Sequence, residues 1–308
     1  MRGHLQGTFS ICAADRAAGE VGCAVESRYF AVGSIVPWAR AGVGAVATQA
    51  AGVAAYGPRM LALLEEGLAP DEALAAVLAG DEHRESRQLG VVAADGRSAA
   101  HTGADCLGWA GHRIGEGYAI QGNILAGEAV VAEMERAFLE SNGPLASRLV
   151  SALEAGQVAG GDSRGQQSSA IVVERVGASV RSRDGIDRIC ELRVEDHPEP
   201  IAELRRLLDI HVVWDALRRA SVFHSPGQYE EGVAVLAETL SDYGEDAVLL
   251  YDLACFECLA GDTESALAHV ARSLELDPAL GAAIVSDLDF AALAEDSRFR
   301  ALVSPATP

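Results

Sequence analysis

Thr8-Phe9-Ser10-Ile11-Cys12-Ala13-Ala14-Asp15 and, a few residues on, Val21-Gly22-Cys23-Ala24-Val25-Glu26-Ser27-Arg28 form the stretch on which the fold turns. Two runs of small, β-branched and aromatic residues flank the turn-rich segment DRAAGE, which predicts a strand, a turn and a second strand. Met1 to Gly7 precede the threonine. Two readings of that leader stay open: a tail, or a propeptide whose removal would make Thr8 the first residue.

Outward from this pair, GAVATQA reads as another strand, and YGPRMLALLEEG and PDEALAAVLAG as two helices with leucines at helical spacing, each closed by a glycine. Strands return in RQLGVVAADGRSAAHTG, where Asp95-Gly96 marks a tight hairpin, and in GYAIQGN. The helices AVVAEMERAFLES and PLASRLVSALEAG then lead through the glycine-rich GGDSRGQQSS to the strands SAIVVERV and RICELRVED. Helices grouped in pairs between groups of strands predict an α+β domain over residues 8–210, with stacked, mostly antiparallel sheets between two helical layers. The run Gly42-Val43-Gly44 matches a dinucleotide-binding turn only weakly, because glycines rather than a long helix follow it.

Strand patterns stop after Ile210. Gly227-Gln228-Tyr229-Glu230-Glu231-Gly232 and Gly261-Asp262-Thr263-Glu264-Ser265-Ala266 recur at a spacing of 34 residues, the tetratricopeptide period. Residues 211–308 are therefore expected to form a short all-α tail.

The 308 residues carry a formal charge of -21, with no cluster of basic residues to meet a phosphate backbone, so nucleic acid is not an expected partner. Nothing resembles a signal peptide or an apolar run long enough to span a membrane, which predicts a cytoplasmic protein. The six cysteines lack the spacing of a disulfide framework, and Cys255 and Cys258 lie in an apolar helical pattern that favours packing over metal binding. No cofactor or metal is expected, His101 and His112 having no carboxylate pair beside them. There is no Gly-x-Ser-x-Gly elbow for a serine nucleophile.

A threonine hydroxyl needs a base to become a nucleophile. A threonine at the amino terminus carries its own, because the α-amine titrates at about 7.7 to 8.0. Cleavage between Gly7 and Thr8 would create that arrangement. Otherwise Thr8 is a β-branched residue opening a strand.

The succession of Thr8, a first strand, and then Glu26-Ser27-Arg28 resembles the opening of proteasome β-subunits. The phrases TFSICAAD, GEVGCAVESR, VGAVATQAA, RQLGVV, TGADCLGWAGH, QGNILAG, SALEAGQVAGGDSRGQQSSAIVV and LRVEDHPEPIAELRRLL are similar to a bacterial family of unknown function grouped with the N-terminal nucleophile hydrolases. That resemblance implies a four-layer αββα sandwich with Thr8 on a central strand facing a cleft. It departs from the proteasome in one respect: no lysine stands near Thr8 to match the proteasome's catalytic one.

Four residues are expected at the reaction centre: Thr8, Glu26, Arg28 and Asn123. Glu26 and Arg28, two apart on a strand, face one side and form an ion pair, either polarising the Thr8 amine or bracing a strand end. Asn123 closes a strand as an oxyanion donor or as a turn residue. Gln49, Asp162, Arg164 and Ser168 are expected to contact substrate, the Arg164 guanidinium suiting a carboxylate. These readings predict an amide hydrolase acting on a small amide or peptide-like substrate. The alternative is a catalytically silent scaffold that forms homodimers and binds a protein partner through its helical tail.

Overall fold

The computed structural model describes residues 7–178 and 186–303. Residues 1–6 of the expected leader lie outside that range. Two compact units divide the chain, residues 1–208 and 209–308.

The first unit is mixed α/β with antiparallel sheets. Its strands are β1 (Thr8–Asp15), β2 (Glu20–Ser27), β3 (Pro37–Arg40), β4 (Gly44–Ala50), β5 (Arg87–Ala93), β6 (Ser98–Thr102), β7 (Trp109–Gly115), β8 (Tyr118–Leu125), β9 (Ser168–Arg175) and β10 (Arg188–Val194). They form a six-stranded sheet in the order β10-β9-β2-β1-β8-β7 and a four-stranded sheet in the order β3-β4-β5-β6.

The first turn follows from Asp15, whose Oδ1 accepts the backbone N–H groups of Ala17 and Ala18, each at 3.1 Å. With Asp15 paired to Glu20 across that turn, Thr8 falls opposite Ser27 and Phe9 opposite Glu26.

Both faces of the large sheet are covered, so β1 and β2 are buried throughout their apolar length. Helices α3 (Ala129–Glu140) and α4 (Leu145–Val158) pack against its outer face, where a Cβ on Gly156 would lie 3.3 Å from the Phe9 ring. Helices α1 (Tyr56–Glu65) and α2 (Pro70–Leu78) cover the small sheet, burying Met60, Leu61, Val77 and Leu78 against Val46, Leu89 and Val91. The sheets meet face to face. Cys12, Cys23, Val25, Ala45, Ala47, Val92, Ala170 and Val172 form the apolar part of that interior.

Two edge strands were not separable by pattern. β3 begins on a proline, and β7 reads Trp-Ala-Gly-His-Arg-Ile-Gly with no buried residue. Edge strands have one unpaired flank and tolerate proline and charge, so the apolar alternation that identifies a strand is weak in them.

The second unit is helical. α5 (Pro200–Ser221) runs across the division, and α6 (Tyr229–Tyr243), α7 (Ala247–Ala260), α8 (Thr263–Leu276), α9 (Gly281–Ser286) and α10 (Ser297–Val303) follow. The Asp246 side chain caps α7 by accepting from Val248 and Leu249 N–H, and Gly261 ends it in the left-handed region at φ 92°. Neighbouring helices α6 and α7 approach closely enough that a Cβ on Gly232 would meet the Phe256 ring at 2.3 Å. Among the described residues no helix is long and apolar enough to cross a membrane.

Candidate functional site

The space between the two sheets is polar at the Thr8 end. Side chains alternate along β1, so Thr8, Ser10 and Cys12 point toward the small sheet while Phe9 and Ile11 point toward the helices. Ser27 and Asn123, directly opposite Thr8 on β2 and β8, share its face. All three are buried.

Buried hydroxyls and amides need partners, and glutamines reaching across the interior supply them. Gln49 Nε2 donates to the Thr8 carbonyl at 3.3 Å and to Gln88 Oε1 at 2.9 Å, while Gln49 Oε1 accepts the Ser10 hydroxyl at 2.6 Å. Asn123 Nδ2 also donates to Gln88 Oε1, at 2.9 Å. Gln88 Nε2 in turn donates to the Gly122 carbonyl at 2.8 Å and to Thr102 Oγ1 at 2.9 Å. Gln121 Nε2 donates to Ser10 Oγ at 2.5 Å. Glycine at position 90 makes room for the Gln121 amide, since a Cβ there would fall 1.8 Å from Gln121 Oε1.

The Gly7 carbonyl, which precedes Thr8, receives two donors. Thr8 Oγ1 donates to Ser27 Oγ at 3.0 Å, and Ser27 Oγ donates onward to Gly7 O in a short contact. Arg164 Nη2 donates to the same oxygen at 3.0 Å. Arg164 comes from the loop after α4, which is tied to the end of β8 by Ser163 N–H on the Ile124 carbonyl at 2.9 Å and by the Leu125–Asp162 bridge.

Asp162 is held rigidly beside Gly7. Its Oδ1 accepts Arg164 N–H at 2.9 Å and Nε at 3.0 Å, and its Oδ2 accepts Arg28 N–H at 3.1 Å and Arg164 Nη2 at 2.6 Å. Its side chain is fully buried.

Glu26 lies on the other face of the sheet from the Thr8 side chain, because its partner in β1 is Phe9. The expected ion pair with Arg28 is not formed: neither Glu26 oxygen has a hydrogen-bond partner, and the Arg28 guanidinium donates instead to the Arg164 carbonyl at 3.2 Å. Burial, and next the charge of Asp162, push the Glu26 carboxyl well above the usual carboxylate range. The Gln167 N–H, Arg164 and Arg28 favour its ionised form more weakly, although that N–H is outside hydrogen-bond geometry.

Ser168 shares the inner face with Ser27, its cross-strand partner, but its hydroxyl is committed to the chain. It donates to the Tyr29 carbonyl at 2.5 Å and accepts the Val32 N–H at 3.0 Å. That leaves Ser168 a brace for the loop after β2. His101 and His112 are likewise engaged, with the Arg84 carbonyl at 3.0 Å and Thr102 Oγ1 at 2.9 Å.

The structure thus brings Thr8, Gln49, Asn123, Asp162 and Arg164 together and sets Glu26 and Arg28 beside them. Asn123 turns its amide toward Gln88, so the donors on the Gly7 carbonyl are Ser27 and Arg164. Ser27, Gln88 and Gln121 were not anticipated as site members. A signal for the glutamines was available, because Gln88 is the one amide in β5 and Gln121 lies with Asn123 among the apolar residues of β8, each in a buried stretch of strand.

In the helical unit, Cys255, Asp287 and Asp289 place ligand atoms within 4.8 Å of one another. Tyr251 donates its hydroxyl to Asp287, and His224 Nε2 lies 2.9 Å from Asp289 Oδ2. Burial and the charges of Asp287 and Asp289 push Asp252 up to about 6. Cys258 packs in the apolar cluster of that unit, as the sequence pattern predicts.

The family of unknown function DUF1028 matches residues 8–204, and the chain belongs to that family. The crystal structure of a Silicibacter pomeroyi protein of the same family is similar at 30% sequence identity and a TM-score of 0.60, over 66% of this chain and 88% of that one. No curated protein matches the chain.

Proposed function

We propose that the first unit is an N-terminal nucleophile amide hydrolase, with Thr8 as the nucleophile both for release of residues 1–7 and for later substrate turnover. The observation that carries this reading is the relay from Thr8 Oγ1 through Ser27 Oγ to Gly7 O, with Arg164 Nη2 on the same carbonyl. Two sheets packed face to face between helix pairs agree with the αββα sandwich that this reading requires.

Release begins when Thr8 Oγ1 attacks the Gly7 carbonyl carbon. The hydroxyl proton passes to Ser27 Oγ as the Ser27 proton passes to the carbonyl oxygen, and Arg164 stabilises the charge that develops there. The C–N bond breaks as the carbonyl re-forms and the proton on its oxygen passes to the Thr8 nitrogen, leaving an ester of Gly7 on the threonine hydroxyl. Water hydrolyses the ester, freeing the leader carboxylate and a Thr8 with its own α-amine. This chain contains no lysine. The amine is therefore the base in reach for the next attack, with an ordinary pKa of about 7.7 to 8.0.

Departure of Gly7 would leave the Ser27 and Arg164 donors facing the position of its carbonyl, where a substrate carbonyl can take its place. Until then Thr8 is wholly buried and admits no substrate. The free thiols of all six cysteines suit a reducing, cytoplasmic setting.

Intact-mass measurement tests the reading. The purified protein should lose residues 1–7 on incubation, and Thr8→Ala should retain them. A wild-type chain that keeps its leader indefinitely would favour the scaffold, with the helical unit as its partner-binding part.

A further inference from the structure

The Gly7 Cα faces Asp162. An L-configured Cβ built on residue 7 would lie 2.6 Å from Asp162 Oδ2, 2.7 Å from Oδ1 and 2.8 Å from Cγ. Contact with Asp162 excludes a side chain.

Asp162 cannot yield. Four donors hold its two oxygens, two of them backbone N–H groups of Arg28 and Arg164, and the side chain is fully buried. Moving it would strip a buried carboxylate of charge-assisted hydrogen bonds.

Resting on the reading above, we infer that the substrate site selects acyl groups lacking an L side chain: glycyl and acetyl amides rather than amides of the bulkier amino acids. A single nucleophile attacks both carbonyls, and a single pair of donors, Ser27 and Arg164, receives both oxygens. A substrate carbonyl seated there carries its α-carbon where the Gly7 Cα stands, so the substituent on that carbon meets the same wall. Asp162 is the specificity residue. It acts by shape, as a packed pocket rejects an extra carbon, an effect that reaches about 10- to 200-fold.

The experiment uses the full chain after leader loss, verified by intact mass, with the p-nitrophenyl esters of N-acetylglycine and N-acetyl-L-alanine. The common leaving group isolates the acyl side, and release of p-nitrophenolate reports acylation. The glycyl ester should react at least about tenfold faster than the alanyl ester. In the uncleaved chain, Gly7→Ala should slow leader loss by at least the same factor. Equal rates with the two esters, no reaction with either, or Gly7→Ala processing at the wild-type rate would each overturn the inference while leaving the nucleophile assignment standing on the mass result. A wild-type chain that never sheds its leader removes both.

Discussion

Ser27→Ala is the sharpest perturbation of the relay. In the uncleaved chain Ser27 Oγ accepts the Thr8 hydroxyl at 3.0 Å and donates to Gly7 O, so under the proposed mechanism the variant removes the acceptor of the nucleophile's proton and one of two donors to the developing oxyanion. Loss of one oxyanion donor costs about 10²–10³ in rate, and loss of a positioned proton-transfer group about 10²–10⁴. One hydroxyl performs both tasks, and the Arg164 contact at 3.0 Å survives its removal. The expected slowing of leader loss is therefore about 10²–10³ rather than the product of the two factors. The variant also leaves the buried Thr8 hydroxyl without its acceptor, an expected destabilisation of about 1–3 kcal/mol. Thermal melting checks that the domain remains folded. The assay is a time course of intact mass on freshly purified protein, with Ser27→Thr as the control that keeps a hydroxyl. A folded Ser27→Ala protein that sheds residues 1–7 as fast as wild type would refute the relay.

Two further outcomes follow from the buried groups. Gln88→Leu deprives Asn123 Nδ2 and Gln49 Nε2 of a shared acceptor at 2.9 Å each, so it should destabilise the domain by about 2–4 kcal/mol in chemical denaturation, the range of a broken buried network; a change below 1 kcal/mol would count against the network. Glu26→Gln, in a Thr8→Ala background that keeps the leader, tests the raised carboxyl. Because its folded pKa lies above the ordinary value, the carboxyl contributes stability that is fully present below about 4.3 and is lost as pH rises through the folded value. The gain in melting temperature from Glu26→Gln should thus grow between pH 4.5 and 8, and a gain that stays constant across that window would contradict the assignment.

Much of the first unit was legible because its central strands and four outer helices carry their pattern in apolar residues. The mixed α/β class with antiparallel sheets, the hairpin at Gly96 (φ 91°) and the helical character of the C-terminal region all follow from periodicity and turn chemistry. What was not legible depends on register. Spacing alone puts Glu26 and Arg28 on one face, but only the pairing of Asp15 with Glu20 across the turn carries Phe9, rather than Thr8, to Glu26. The same pairing brings Ser27 to Thr8. Arg164 reaches Gly7 through a loop anchored on β8, a long-range contact that no local pattern encodes. Asn123, read as an oxyanion donor or a turn residue, lies within β8 and donates its amide to Gln88 from the opposite sheet.

Charge links Glu26 to the proposed cleavage. In the uncleaved chain Asp162 is balanced by Arg164 at 2.6 Å, and Glu26, buried without a partner, is held toward its neutral form by burial and by Asp162. Cutting the Gly7–Thr8 bond would add an ammonium at the Thr8 nitrogen, at the start of the strand whose second residue pairs with Glu26. A nearby cation typically lowers a carboxyl pKa by about 1–3 units, so under the proposed cleavage an ammonium close to Glu26 would draw it toward ionisation. On that reading the two groups would titrate as a pair, one proton divided between them. Catalysis needs the amine without its proton, and a carboxyl that still favours its neutral form is a place for that proton to go. On the proposed reading, a carboxyl whose burial raises its proton affinity could hold the proton that the amine must lose, which an ionised, solvent-exposed one would not.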